Sequence, residues 1–512
     1  MTRSRCSRSS RSLAATAALL CALAARPAQA SPLFELLGGV GDQGGLTGRV
    51  TASGASAAYF NPALLPKARA GFQTSAFVLN NAIDITLSSR GAVDVPIEYR
   101  TATNGDGTPF AQLSLPTSWL NDGCNPPECT LPLAPRPRQS AASTGQVHAY
   151  QGLGLVAPLL GDKLVLGIYG IVPLSKFTTA NSFFVDEREQ FFSNSLHAEL
   201  YSDRLTAPSF AFALGSQLTR RFSVGVSLTL GLRTSAIAST FVGNADDLDR
   251  TLILSTDVGV ETALAPHLGL NYDISDDVHL TATAHSVQRF DIQTGLSALL
   301  PNGSKQPASR TSVHDYLPWQ LGLGASWDLI SPDAPTGAAH SLSLAASLTL
   351  GLWSNYIDRQ GDKPSGPYAW KNTPTIGIGG RHGYGQTQTF IDVLYVPSPV
   401  PMQSGRTNYV DNDRLSTSAG VDYSFKLLGA SWRAGVQGQF HFLIERDHTK
   451  FDPTSASGTQ LVVDEFPDDA VNTRGQAIPE AAGLQTNNPG FPGFSSGGWL
   501  AGGGLTLALL FE

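Results

Sequence analysis

The segment Phe222-Ser223-Val224-Gly225-Val226-Ser227-Leu228-Thr229-Leu230-Gly231-Leu232-Arg233 alternates without a break. Phe222, Val224, Val226, Leu228, Leu230 and Leu232 share one face; Ser223, Gly225, Ser227, Thr229, Gly231 and Arg233 share the other. A period of two kept up over this length is a strand with two chemically different faces. The pattern returns at Ser341–Leu352, at Trp432–Phe442 and near the C-terminus, where Trp499, Ala501, Leu505, Leu507, Leu509 and Phe511 lie on one side. A soluble sandwich also alternates, with its apolar face inward. These runs, however, are about ten residues long, enough to cross a bilayer at a tilt, whereas globular strands average about five or six. Trp319 and Trp327 also share a face. In a tilted strand their rings fall roughly 20 Å apart along the membrane normal, close to the height of a lipid-facing apolar band.

Working outward, the same reading gives strands at 71–80, 146–158, 163–173, 204–217, 221–233, 258–273, 278–291, 314–328, 340–355, 373–384, 388–397, 413–425, 430–445 and 497–511. That is fourteen, an even number, as in single-chain bacterial barrels. Tight turns such as Leu218-Thr219-Arg220 alternate with long connections at 81–145, 174–203, 234–257, 292–313 and 446–496. The fold expected is all-β: a 14-stranded antiparallel transmembrane β-barrel over residues 71–512, with short turns on one side and long extracellular loops on the other. Composition agrees. Charged residues are 15% of the chain, below the roughly 25% of ordinary soluble domains. No long apolar run follows the N-terminus, which excludes a helical membrane protein.

Residues 1–30 read as a signal peptide. Arg3, Arg5, Arg8 and Arg11 precede an apolar stretch, and Ala28-Gln29-Ala30 fits a small-x-small cleavage site. Removing the five arginines of this segment shifts the net charge from −7 to −12, which argues against nucleic acid as a partner. It also leaves Cys124 and Cys129, in a turn-rich loop, as an expected local disulfide. Two cysteines with no histidine nearby do not make a zinc site, and no metal or other cofactor is expected.

Residues 31–70 are Gly-rich, do not alternate, and include Tyr59, Phe60, Leu64 and Leu65, a costly group to leave in water. A fourteen-stranded barrel has a lumen wide enough for a plug, so this segment is expected to fold inside it rather than serve as a linker. In Asn61-Pro62, the proline biases Asn61 away from the helical region and fixes a turn. The Asn61 side chain is then free to reach a backbone group of the wall, a plain loop turn being the alternative.

These segments resemble the outer-membrane long-chain fatty acid transporters (FadL), a family that includes hydrocarbon transporters of the toluene type. The resemblance rests on Gly48-Arg49 followed by Asn61-Pro62-Ala63, on Gly154-Leu155-Val156-Ala157-Pro158, on Pro397-Ser398-Pro399-Val400-Pro401, and on Asn412-Asp413-Arg414 leading into Ser418–Tyr423. It implies passive outer-membrane uptake of a long-chain fatty acid or other hydrophobic small molecule by a monomer set in outer-membrane lipid by the barrel-assembly machinery. It further implies a plug carrying Gly48, Arg49, Asn61, Pro62 and Ala63, and a kinked third strand that opens the wall for lateral release. In that strand Gly167, Gly170 and Pro173 are the candidate kink residues.

The loop 174–203 offers Phe183, Phe184, Phe191, Phe192 and Leu196 as a candidate ligand groove, with an amphipathic helix packed on the rim as the other reading. Nucleophile elbows, zinc-protease motifs and phosphate loops are missing from the sequence, so no enzyme is expected. The large loops 81–145 and 446–496 keep open a second function, a family-like barrel that binds a surface assembly or secretion partner without transport.

Overall fold

The computed structural model describes residues 32–87, 140–142, 146–160, 163–174, 203–242, 252–299, 305–330, 340–358, 361–403, 409–449 and 493–511. The expected signal peptide, Cys124 and Cys129, and the loop residues Phe183, Phe184, Phe191, Phe192 and Leu196 lie outside the described residues. The strands are β1 (Gly71–Leu87), β2 (Ser140–Ala142), β3 (Gln146–Pro158), β4 (Leu164–Pro173), β5 (Ser209–Thr219), β6 (Phe222–Val242), β7 (Leu252–Asp273), β8 (Val278–His285), β9 (Gln288–Leu299), β10 (Lys305–Leu317), β11 (Gln320–Ile330), β12 (His340–Gly351), β13 (Thr373–Tyr384), β14 (Thr387–Val396), β15 (Arg414–Leu427), β16 (Ala430–Thr449) and β17 (Gly493–Leu510). They form one sheet, and β1 closes on β17 from Gly71↔Leu510 to Leu87↔Phe494. Taking β2 with β3, β8 with β9 and β10 with β11 gives a closed barrel of fourteen antiparallel staves, as the alternation requires. Closure leaves no unpaired edge around the wall.

The faces are inverted relative to a soluble barrel. On β6, Ser227 and Thr229 are 6% and 0% exposed, whereas Val226 and Leu228 are 42% and 37% exposed. Trp319 and Trp327 both point outward. A surface of exposed aliphatics with aromatic rings near the strand ends is one that lipid, not water, would cover. No helix among the described residues is long and apolar enough to cross a membrane.

Several strand ends differ from the sequence reading. β5 starts at Ser209 because a short 3-10 turn, Asp203–Thr206, and Pro208 precede it. β12 stops at Gly351, where Trp353 folds back onto the glycine. Much of 234–257 and 292–313 is strand rather than loop, since β6 runs to Val242, β7 begins at Leu252, β9 ends at Leu299 and β10 begins at Lys305. The reason is a pairing that sequence alone does not announce. The β7–β8 ladder stops at His267↔His285, because the next residue of β7, Pro266, has no N–H to give. Ser286 N donates to Pro266 O at 3.2 Å, and the chain then leaves the wall. β9 crosses the inner face, placing Phe290 over Gly231 and Ala263, and pairs in parallel with β6 at Ala238–Phe241. The two long hairpins thus give each other backbone partners beyond the barrel.

The third stave keeps its register with both neighbours. β4 holds an unbroken register with β3 from Tyr150↔Pro173 to Pro158↔Val165, and with β5 from Leu164↔Ser216 to Ile171↔Ser209. Two of its glycines admit neighbouring side chains closely. Gly167 admits Leu65 from inside the barrel, and Gly170 lies beneath the Phe210 ring. Pro173 ends the strand.

Candidate functional site

The segment before β1 fills the lumen. It has short helical turns at Pro32–Leu37, Gly48–Thr51 and Ala57–Phe60, then a 3-10 turn at Pro62–Lys67. Leu33, Phe34, Leu37, Tyr59, Phe60 and Leu65 are all buried. Phe34 sits between Tyr59 and Tyr169 of β4, with ring centroids 4.5 and 5.0 Å away. Burying side chains of this size is worth about 1.5–3 kcal/mol each, which explains why the segment packs inside rather than trailing in water.

The Asn61 turn is held on both sides. Asn61 Oδ1 accepts from Ala63 N at 3.1 Å, capping the 3-10 turn. Its Nδ2 donates to Arg49 O at 3.2 Å and reaches Leu270 O of β7 at 3.4 Å. Beneath the turn lie Gly215, Gly225 and Gly269, paired side by side across β5, β6 and β7. A Cβ at Gly215 or Gly225 would run into Pro62, and one at Gly269 into Asn61 and Pro62. Three missing side chains therefore make a dent in the wall, and Asn61-Pro62-Ala63 occupies it. Gly48 has the same role within the plug, where the Phe60 ring lies against it.

Arg49 is the hub of the polar contacts. Its guanidinium donates to Glu35 at 2.7 and 3.1 Å and also to Gln320 Oε1 of β11, while Phe60 lies 5.9 Å away. Tyr59 OH donates to Glu35 Oε1 at 2.7 Å. Burial, reinforced by the Glu35 charge, holds that phenol well above its ordinary range, so it remains a donor. His285 Nε2 meets Phe60 O at 3.2 Å, and His267 and His285 lie with ring centroids 4.1 Å apart under Tyr59.

A second anchor was not singled out in the sequence. Arg381 of β13 and Asp392 of β14 pair at 2.7 Å, and both reach the plug. Arg381 donates to Gln43 O at 2.7 Å and Gly44 O at 3.0 Å; Asp392 accepts from Leu46 N at 2.9 Å and Thr47 Oγ1 at 2.8 Å. Tyr169 adds a third, accepting from Val40 N and donating to Gly38 O. Polar residues line the whole lumen, so only the plug contact distinguishes these two.

Between the plug and the opposite wall lies a cavity of about 120 Å³. Leu36, Arg49 and Phe60 form its plug side; Trp353, Leu394 and Arg414 face them from the wall and loops. Its outer rim is built from the two motifs around residues 397–413. Asp413 accepts from Ser398 N at 2.8 Å, Asn412 Nδ2 donates to Ile444 O and Ser496 O, and Arg446 donates to Asp411 O and Val400 O. Burial pushes the Asp411 carboxyl up to about 6, against the opposing pull of its Ser398 hydrogen bond and neighbouring arginines. The cavity lining mixes apolar side chains with polar ones, Arg49 and Arg414 among them. Such a space offers apolar walls to a small ligand and donors for a polar group on it.

Among the described residues, Gly48, Arg49, Asn61, Pro62 and Ala63 come together and Gly167 meets Leu65 and Ala58 of the same plug, whereas Gly170 faces outward and Pro173 ends its strand. No group of three or more potential metal ligands occurs among them.

With this geometry in view, solved structures share the architecture. A FadL homologue from Pseudomonas aeruginosa matches at 15% identity, covering 95% of this chain and 99% of that chain, with a TM-score of 0.50. The toluene transporter TodX of P. putida aligns at 12% identity over 95% of this chain and 100% of its own, with a TM-score of 0.44. The CymD monoaromatic hydrocarbon channel aligns at 13% identity over 94% and 98%, with a TM-score of 0.41. No family model and no curated relative matches the chain. The chain has the fold of the FadL homologue, a fourteen-stranded barrel with its N-terminal segment inside.

Proposed function

We propose that the protein is an outer-membrane channel for passive uptake of long-chain fatty acids or other hydrophobic small molecules, gated by residues 31–70. The observation that carries this reading is the cavity itself, a space of apolar and polar side chains with Arg49 and Arg414 on its lining, floored by a plug that hydrogen bonds tie to the wall. The names of the similar structures, a FadL homologue and hydrocarbon channels, favour cargo of this kind over sugars or peptides. Release sideways into the membrane is the finer part of the proposal. With both β4 ladders intact, it requires Leu65 to withdraw from Gly167 and one ladder to part.

The test is uptake of labelled oleate, and separately of labelled toluene, by cells lacking their own transporter, with and without this protein. Heat-shifted gel mobility checks insertion. Uptake of either above control supports the reading and chooses the cargo class. Uptake of neither by an inserted barrel overturns it and leaves the partner-binding alternative.

A further inference from the structure

We propose that the outside of the barrel carries a phospholipid site across β11–β14, independent of any cargo in the lumen. An exterior groove of about 700 Å³ crosses these strands. Its walls are Trp327, Leu344, Ile378 and Ile391, which are 55%, 48%, 59% and 60% exposed. Its floor is made of small residues in register, Ala325 beside Ala346, then Gly380 between Leu344 and Ile391. At Gly380 a Cβ would meet nothing nearer than 3.8 Å, so the floor is open space and not a packing contact. Three strand spacings give a trough roughly 14 Å long, running obliquely because barrel strands tilt.

The chemistry changes at one end. One rung toward the short turns, His382 pairs in register with Leu342 and Thr389; the next rung sets Tyr384 between His340 and Thr387. The His340 ring lies 4.5 Å from Tyr384 and 5.9 Å from His382. These side chains share the outward face of the groove and sit at the level of Trp327 or beyond it. Ring N–H, phenol and hydroxyl groups are donors suited to phosphate and ester oxygens, and they stand where a leaflet's headgroups meet its acyl chains. An apolar trough ending in such donors fits a molecule with an acyl chain and an oxygen-rich head, a phospholipid of the leaflet on the turn side. A bare hydrocarbon would leave the polar end unused, and a second barrel would present no head.

The experiment is native mass spectrometry of the full-length protein released from mild detergent after purification from membranes. Wild type is expected to retain one phospholipid per barrel. Gly380→Leu combined with Ala346→Leu should cut the retained fraction at least fivefold, and His340→Ala with His382→Ala should lower it about threefold. Ala76→Leu, an outward change on β1, should leave it unchanged. Heat-shifted mobility confirms that each variant is folded. Equal retention in wild type and the groove variant overturns the proposal. So does an adduct with the mass of a free fatty acid, a dimer, or no bound lipid.

Discussion

Glu35 and Arg49 are joined by two hydrogen bonds, of 2.7 and 3.1 Å, and both line the cavity. The plug thus places a carboxylate of its own on the guanidinium that a carboxylate-bearing cargo would seek. Glu35→Gln removes that competitor. Charge-assisted bonds of this kind are worth about 1.5–3 kcal/mol, so the affinity of a fatty-acid analogue should rise on the order of tenfold or more. Affinity for a neutral hydrocarbon should be unmoved. Fluorescence titration of both ligands checks the difference.

Gly269 has no space above it for a side chain, because Asn61 and Pro62 occupy it. Gly269→Ala is expected to lift the Asn61 turn from the wall while the barrel still closes. Residues 32–68 should then become sensitive to added protease at a low dose that leaves wild type intact. Gly380→Ala, where a methyl meets nothing within 3.8 Å, should behave as wild type in the same assay.

Asn61→Ala loses the 3-10 cap and the bonds to Arg49 O and Leu270 O. A lost cap alone costs about 1 kcal/mol. The barrel should keep its heat-shifted mobility, and uptake of apolar cargo should fall several-fold, since Arg49 and Phe60 on the cavity floor lean on this turn. Uptake equal to wild type at equal surface levels would remove the gate role from Asn61.

Asp411 supplies a pH dependence with a definite sign. Its carboxyl titrates near 6 in the folded rim against 3.8 when free, so folding takes up a proton between these values. The rim therefore loses stability as pH rises from about 4 to 6, by up to about 3 kcal/mol. The same rise puts a negative charge on the cavity lining. An alkyl sulfonate, whose own charge does not change, should bind more weakly at pH 7 than at pH 5. Asp411→Asn should abolish that difference, as read by calorimetry at the two pH values.

The fold was legible because a barrel in lipid writes both its faces into every strand, and the run from Phe222 to Arg233 shows this as plainly as any coordinate. The plug was legible because Tyr59, Phe60, Leu64 and Leu65 had no strand to belong to. The exit of β9 from the wall was not. Pro266 sits in an otherwise regular strand, and the parallel partner of β9 lies a full hairpin earlier in the chain. The contact at Gly167 was not legible either, because glycine permits a bend as readily as close approach, and Leu65 lies about a hundred residues away in the chain. The Arg381–Asp392 anchor stayed hidden for a related reason, since its partners at Gln43 to Thr47 are backbone and hydroxyl groups with no sequence signature.

The row of Gly215, Gly225 and Gly269 also dictates an order of assembly. The seat of the Asn61 turn is shared by three strands, so it does not exist until β5, β6 and β7 have zipped together. The segment that docks there is translated before all of them. Docking of the N-terminal segment therefore waits on strands made well after it, and Tyr59, Phe60 and Leu65 have to be shielded from aggregation during the wait.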